Sequence, residues 1–331
     1  MAIRSRSITG DTVRTYGEAL LPWLQYLRVR NKPVSQATEE LLGEYRAMVS
    51  HMRIGQEERS YASSTINLRV VVPAQFHLWG QRKGTLSSPL GAYLEVVPTA
   101  TQLQRLNSVP PPHRRNLKSL RTPRVIRRLP TALSMEQVSR ILGITPMPYC
   151  LMLRWCLATG MRRVEVANLR LNDLQSPEAI AQCADGLFRM QILRKGGREH
   201  TVHIPLRLLE ETNWFVLTDR SKSNLPAQNF VFLNRDGRQV SRQSLTRTFR
   251  RSADSIGTSA TLHHLRHTFA VHVLSILERK HVEGDTLNSI KTLQVLLGHA
   301  SVMSTEIYLQ AMQTSSDAVI EALDYLYGAD L

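Results

Sequence analysis

The hydrophobic and polar positions of the first hundred residues follow the spacing of amphipathic helices. Residues 12–28 carry apolar side chains at helical intervals, and residues 37–52 repeat the pattern. A third helix is predicted from about 64 to about 84, and a fourth over about 92–106. This part of the chain is therefore predicted to form a small, all-helical domain.

Residues that favour helix ends flank the third predicted helix. Ser63 or Ser64 can supply its N-terminal cap, and Gly80 or Gly84 can end it. Pro73 lies inside the pattern. Because proline has no backbone N–H to donate, it predicts a kink or a break there.

The pattern after residue 130 predicts helices with different markers. Ser134 is followed three positions later by Gln137, which is typical of a capping box at a helix start. Residues 148–159 form an apolar helical pattern, and Gly160 can end that helix in the left-handed conformation.

One stretch in this second half alternates as a β-strand does. Residues 187–206 alternate between apolar and polar side chains around Gly196 and Gly197, which predicts a β-hairpin. Helices are predicted from there to the C-terminus. The last, over about 316–327, has one apolar face that could pack on its own domain or on a neighbouring subunit. The fold class is thus mostly α, with a small antiparallel β-sheet.

Length and composition limit the class of protein. The chain has 331 residues, 42% of them hydrophobic, which suffices for two domains with sizeable cores. It has no apolar run long enough for a membrane span and no secretory signal, so we expect no membrane partner and a cytoplasmic, nucleoid-associated location. Its three cysteines lack metal-ligand spacing, and we interpret them as reduced thiols.

Positive charge is concentrated in one short segment. The chain carries a net charge of +15, and residues 108–130 are rich in proline and contain no acidic residue. The basic residues of this segment are Arg114, Arg115, Lys118, Arg121, Arg124, Arg127 and Arg128. They favour an interdomain linker that follows a phosphate backbone, with a solvated charged linker as the alternative. The predicted domains are therefore residues 1–107 and 131–331, joined by 108–130.

Four boxes in the second domain carry candidate chemistry. They are TGMRRVEVANL from Thr159, RKGGREHTVHIP from Arg194, LHHLRHTFA from Leu262 and LLGHASVMSTEIYLQ from Leu296. Cleavage of a phosphodiester develops negative charge on phosphate oxygens. Guanidinium groups stabilise such charge with two coplanar hydrogen bonds, and we select Arg162 and Arg266 for this role.

The remaining groups suit proton transfer and nucleophilic attack. Lys195, at the tip of the predicted hairpin, is the candidate general acid for the leaving oxygen. Tyr308 is the candidate nucleophile, and His263 and His299 are placed either to lower its pKa or to bind the phosphate. Glu165 is predicted to pair with Arg162 and hold it in place.

Each motif also has a simpler interpretation. Tyr308 alone would be assigned to core packing. The run that contains His263, His264 and His267 suggests zinc, but it lacks the spacing that zinc sites usually show, so we predict no metal and no cofactor.

Together the four boxes resemble those of the tyrosine site-specific recombinases, the phage integrase family. The resemblance implies that the catalytic set is Arg162, Lys195, His263, Arg266, His299 and Tyr308, with Glu165 as an acidic companion. YASSTINLR and FHLWGQRKG are similar to the family's helical, SAM-like core-binding domain. The sequence departs from the family's usual pattern at Met161 and Arg163, which flank the first arginine, and at His264, where aspartate is frequent. The connection between the last two boxes, over 276–287, is also longer than usual.

The resemblance implies a fold and a reaction. The helical core-binding domain and the mainly helical catalytic domain would form a C-shaped clamp on double-stranded DNA. Tyr308 would form a 3′-phosphotyrosyl link, and a homo-tetramer would exchange strands between two inverted-repeat core sites through a Holliday junction. The outcome would be integration, excision or resolution of a mobile element, with an accessory protein as a further candidate partner.

Other classes of protein remain open from the sequence. A type IB topoisomerase-like enzyme would use similar residues to relax supercoils without choosing a site. A non-catalytic DNA-binding protein would need the basic linker but none of the catalytic groups. A metal-dependent nuclease would lose its activity in EDTA.

Overall fold

The structure is a computed structural model that describes residues 11–54, 59–96, 129–174, 186–194, 198–223, 227–282, 288–299 and 301–314. The chain divides into two compact units, Met1–Arg127 and Arg128–Leu331. The basic residues predicted to bind DNA, the hairpin tip with Lys195 and the predicted helix over 316–327 lie outside the described residues.

The described part of the first unit contains four helices. They are α1 (Asp11–Val29), α2 (Glu39–His51), α3 (Ser63–Arg82) and α4 (Pro89–Val96), with a 3-10 turn at Val34–Gln36. The fourth begins about three residues before its prediction, and residues 97–106 of that prediction lie outside the described residues. The first two predicted helices are confirmed to within two residues at each end. Their apolar faces meet in one core, in which Trp23, Leu42 and Tyr45 are fully buried.

Helix α3 differs from its prediction at its start and at its centre. It has Ala62 as its N-cap without a side-chain hydrogen bond, so the serine cap predicted at Ser63 or Ser64 is wrong. The helix also continues through Pro73, and the break is absent. Pro73 is itself buried, and we infer that packing offsets the hydrogen bond that proline cannot donate.

The first unit is not wholly helical, contrary to the prediction. A short antiparallel pair, β1 (Arg53–Ile54) with β2 (Arg59–Ser60), lies between α2 and α3. Two residues on each side are too few to produce a recognisable alternation in the sequence.

A buried polar network links three segments of the first unit. Trp23 donates its indole N–H to His77 Nε2 at 3.1 Å, and His77 Nδ1 lies 2.9 Å from Ser88 Oγ. Burial lowers the pKa of His77 to about 4, because a charged ring would lose its hydration. At neutral pH the ring is therefore uncharged, with both nitrogens in hydrogen bonds.

The second unit is mainly helical around one β-hairpin, as predicted. Its elements are α5 (Met135–Ile144), α6 (Tyr149–Thr159), α7 (Arg163–Ala167), β3 (Leu187–Arg194), β4 (Arg198–Pro205), α8 (Leu206–Thr218), α9 (Arg242–Ser255), α10 (His263–Val282), α11 (Ser289–Leu297) and α12 (Met303–Thr314), with 3-10 turns at Leu171–Asp173 and Ala227–Asn229. The hairpin is antiparallel, and Arg194 pairs with Arg198 at its described end.

Two local signals in this unit are confirmed. Ser134 and Gln137 form the predicted capping box at the start of α5. Gly160 ends α6 with a φ of 64°, in the left-handed region. A side chain at Gly160 would also collide with the ring of Phe269, so the turn allows a close approach to α10.

Helix α10 connects two hydrophobic clusters of the second unit. Leu265 belongs to the main core, whereas Ala270 and Leu274 pack in a smaller cluster with Leu293 and Tyr308. The helix continues to Val282, so the first part of the predicted longer connection over 276–287 is helical. Among the described residues, no helix is long and apolar enough to span a membrane.

Candidate active site

Arg162 lies two residues after the left-handed turn at Gly160 and is the N-cap of helix α7. Its backbone N–H donates to Glu165 Oε2 at 2.8 Å, and its Nη1 contacts Glu165 Oε1 at 2.9 Å. The Arg162 side chain is 43% exposed, whereas that of Glu165 is 10% exposed. The pairing expected from the sequence is therefore present, and it holds a guanidinium that a ligand can reach.

Arg194 is a second partner of Glu165 that the sequence analysis did not select. Its Nε lies 3.0 Å from Glu165 Oε1, and its side chain is 7% exposed. Arg194 Nη1 also donates to the carbonyl of Leu297. The only sequence signal for this residue was its position beside Lys195.

The backbone at Gly298 makes room for Arg194. Gly298 has a φ of 60°, and a Cβ atom at this position would overlap Arg194 Nη1 and the ring of His200. The glycine before His299 therefore allows α11 to end in the left-handed conformation. It also allows Arg194 of β3 and His200 of β4 to approach the backbone closely.

Arg266 is the most buried guanidinium of the set, with 3% of its surface exposed. It donates to the carbonyl of Gly160, and its Nη2 donates to the carbonyl of Leu297 at 2.8 Å. Burial, followed by the charges of Arg162 and Arg194, lowers the pKa of Arg266 to about 10. The group therefore remains a cation at neutral pH and lies near the two other arginines.

The two predicted histidines approach this cationic region from different elements. His263 begins α10, and partial loss of hydration, then Arg266 and Arg162, lower its pKa. His299 follows α11, and burial, then the same two arginines, lower its pKa to about 4. His299 Nδ1 lies 3.0 Å from Thr305 Oγ1, which fixes its ring at the start of α12.

Tyr308 extends from α12 toward α10. Its side chain is 3% exposed, and burial raises its pKa, while Arg266 and Arg162 oppose that rise. The ring stacks on that of His299, with the centroids 6.3 Å apart. The structure thus brings Arg162, Arg266, His299 and Tyr308 together. The packing interpretation of Tyr308 is also partly correct, since its ring lies in a hydrophobic cluster.

His267 is a neighbour of the Tyr308 hydroxyl to which the sequence analysis gave no catalytic role. Its Nδ1 lies 3.0 Å from Tyr308 Oη. His264, in contrast, accepts a hydrogen bond at Nδ1 from the backbone N–H of Thr261 at 3.0 Å. In the described part of the chain, no group of three His, Cys, Asp or Glu side chains is arranged to hold a metal ion.

The site therefore places the Tyr308 hydroxyl, on α12, within a group of arginines and histidines that lie at the start of α7, on α10 and just after α11. Residues 131–314 match the model of the phage integrase family, and since this is more than half of the chain, the chain belongs to that family. Members are enzymes that cleave and rejoin DNA, and the resemblance of the four boxes is confirmed.

Individual relatives cover nearly the whole chain. Tyrosine recombinase XerD from Halalkalibacterium halodurans is 26% identical over 321 residues, which are 93% of this chain and 90% of that protein. Site-specific DNA recombination is therefore the activity of this group of homologues, and type IB topoisomerase-like relaxation is not favoured.

Solved structures agree in fold. The XerH site-specific recombinase, in a post-cleavage complex with a palindromic difH substrate, has a TM-score of 0.62 at 17% identity, covering 96% of this chain and 80% of that one. A lambda integrase tetramer bound to a Holliday junction has a TM-score of 0.59 at 15% identity, covering 92% of this chain and 73% of that one. The mostly α fold class with a small antiparallel sheet is confirmed.

Proposed function

We propose that this chain recombines DNA at a specific site and that Tyr308 attacks the scissile phosphate to form a 3′-phosphotyrosyl link. The observation that carries the proposal is the convergence on one hydroxyl of groups far apart in the sequence. Arg162 and Arg266 are close enough to oppose the rise in the pKa of Tyr308, so their charges act on the nucleophile itself.

The two guanidinium groups suit different tasks. Arg162 is half-exposed and held by Glu165, so it can donate to a nonbridging phosphate oxygen as DNA arrives. Arg266 is held by backbone carbonyls and supplies a fixed positive charge. Such preorganised charge stabilises the crowded, anionic phosphorus of the transition state. We assign His263 and His299 to the same phosphate.

We assign Lys195 as the general acid that protonates the departing 5′ oxygen, on the basis of the family's hairpin box. The described ends of the hairpin support this role, because Arg194 fastens β3 to Glu165 and to Leu297. Arg194, the residue before Lys195 in the sequence, therefore lies at the site. In the second step the 5′ hydroxyl of a partner strand attacks the phosphotyrosine, so the bond energy is conserved without ATP.

The proposed assembly is a homo-tetramer on two inverted-repeat core sites. It is supported by the lambda integrase tetramer on a Holliday junction and by the palindromic substrate of XerH, both similar in fold to this chain. We propose the domain division at 108–130, with Arg114, Arg115, Lys118, Arg121, Arg124, Arg127 and Arg128 on the DNA backbone. The helix predicted over 316–327 would pack on the next subunit, an accessory protein is a further candidate partner, and the outcome would be integration, excision or resolution.

The test is to capture the covalent intermediate. The full-length protein is incubated with fragments from its own genetic neighbourhood in EDTA, and protein-linked DNA is recovered and sequenced. We expect adducts at one discrete sequence, with the protein on the 3′ phosphate. Tyr308→Phe should abolish the adduct and leave binding of the same fragment intact.

A matched control is Tyr149→Phe, which removes a hydroxyl that contacts Ser244 in the same unit. It should form the adduct as the wild type does. Cleavage that leaves no attached protein, or relaxation of plasmids that lack the captured site, would contradict the proposal.

A further inference from the structure

We propose that His267 accepts the proton of the Tyr308 hydroxyl as that oxygen attacks the DNA. The inference deepens the proposed function and rests on Tyr308 as the nucleophile. His267 touches the reacting atom, since its Nδ1 lies 3.0 Å from Tyr308 Oη. This distance is within the reach that a general base requires.

The packing of two helices fixes this contact. His267 is on α10 and Tyr308 is on α12, and the two residues are 41 positions apart in sequence. Their ring centroids lie 5.5 Å apart, and the Tyr308 side chain is 3% exposed. The Tyr308 side chain is therefore largely shielded from bulk water, which favours a neighbouring side chain as the acceptor of its proton.

The other histidines of the region are oriented differently. His299 lies flat against the Tyr308 ring, and its Nδ1 contacts Thr305 Oγ1. His264 is engaged by Thr261. His263 packs against His267, with ring centroids 4.4 Å apart. The described structure therefore directs a nitrogen of His267 at the hydroxyl.

The charge state of His267 suits a proton acceptor. Burial, followed by the charges of His263, His264, Arg266 and His299, lowers its pKa to about 4. The ring is neutral at pH 7, so one of its nitrogens carries a lone pair. His263, His264 and Arg266 face His267 from α10 itself, and His299 faces it from the segment after α11.

DNA should then strengthen the base. Arg266 is among the groups that lower the pKa of His267, and it is also one of the groups assigned to the scissile phosphate. When the phosphate enters, its negative charge offsets that of Arg266 and raises the pKa of His267. Proton abstraction is thereby linked to the presence of substrate, and the hydroxyl remains protonated without it.

The proton balance is complete in both directions. During cleavage the Tyr308 oxygen bonds to phosphorus and the bond from phosphorus to the 5′ oxygen breaks. The phenol proton moves to His267 Nδ1, and the proposed acid Lys195 protonates the 5′ oxygen. During rejoining the 5′ hydroxyl attacks phosphorus and returns its proton to Lys195, and the Tyr308 oxygen leaves and recovers its proton from His267.

The first test separates proton transfer from positioning. His267→Asn keeps a hydrogen-bonding group near the place of Nδ1 but cannot accept a proton at neutral pH, and His267→Ala removes both functions. Single-turnover adduct formation is measured on the duplex captured with wild-type protein. We expect both variants to be slowed by about 100-fold or more, the usual contribution of a general base. His272→Asn, the same change at an exposed position of α10, is the control and should stay within about twofold of wild type.

The pattern of variants decides the outcome. An Asn variant as fast as wild type overturns the inference, because positioning alone would then explain the contact. A duplex with sulfur as the bridging 5′ atom adds a second criterion, since a thiolate leaves without protonation. It should rescue Lys195→Ala but not His267→Ala, and rescue of both variants overturns the assignment.

A measurement without DNA covers the case in which no adduct forms and the proposed function itself fails. Nitrogen-15 spectra of the histidine rings in the full-length protein report which nitrogen of His267 is protonated. We expect a neutral ring at pH 7 with an unprotonated Nδ1 whose signal shifts in Tyr308→Phe. A proton on Nδ1, or no response to Tyr308→Phe, overturns the inference.

Discussion

Arg194 offers a sharp test of how the site is held together. Replacing it by Met keeps most of the side-chain volume but removes a buried guanidinium that is 7% exposed. Glu165 then keeps only Arg162, whose side chain is half-exposed. The carbonyl of Leu297 loses one donor but keeps Arg266 Nη2 at 2.8 Å.

The expected cost follows from these contacts. Removing one partner of a buried ion pair costs about 3–5 kcal/mol in typical proteins. Because Glu165 retains Arg162 and a backbone N–H, we expect the lower end, about 3 kcal/mol of unfolding free energy. The pKa of Arg194 is lowered because burial outweighs the attraction of Glu165. The double variant Arg194→Met with Glu165→Gln should therefore be more stable than Arg194→Met alone.

Urea unfolding of the full chain measures the effect by tryptophan fluorescence, to which the buried Trp155 of the second unit and the buried Trp23 of the first unit both contribute. The transition of the second unit is the one that should change. A loss of 3 kcal/mol lowers the midpoint by about 1–2 M at a typical urea dependence of about 2 kcal/mol/M. Arg154→Met removes an exposed pair with Glu211 and is the control, with an expected loss below about 1 kcal/mol. An Arg194→Met midpoint within error of wild type would refute the reasoning.

Two further predictions concern stability. Gly298→Ala should destabilise the second unit by more than the roughly 1 kcal/mol of left-handed strain, because its Cβ would overlap Arg194 and His200. Gly257→Ala, with a φ of 77° and open space around it, should show the strain alone in the same urea assay; equal losses would contradict the overlap. For His77, the folded pKa of about 4 lies below the unfolded value of 6.5. The free energy of unfolding therefore keeps its full value above pH 6.5 and decreases as the pH falls toward 4, because only the unfolded chain then binds the proton. The first unit should lose roughly 2 kcal/mol between pH 7 and pH 5, and His77→Gln should flatten this slope; an unchanged slope would contradict the assignment.

Local signals in the sequence determined much of the fold. The capping box at Ser134, the left-handed end at Gly160 and the hairpin alternation each depend on neighbours a few positions away, and all are confirmed. At Pro73 the same reasoning allowed a kink or a break, and the break is absent because the buried proline packs inside a continuous helix.

For the site, the sequence determined residue types and spacing. The four boxes identified the family, and the Arg162–Glu165 pair follows from one helical step. Nothing local marked Arg194, whose carbonyl partner Leu297 is 103 positions away.

The tertiary structure alone decided which histidine contacts the Tyr308 hydroxyl. His263 and His267 lie one helical turn apart on α10, so their sequence positions do not distinguish them as partners of a residue on α12. The packing of α12 against α10 directs His267 toward the oxygen, across 41 positions of sequence. The physical reason is that helix caps and turns depend on backbone groups nearby in the chain, whereas a pocket forms only where separate helices bury their apolar faces together.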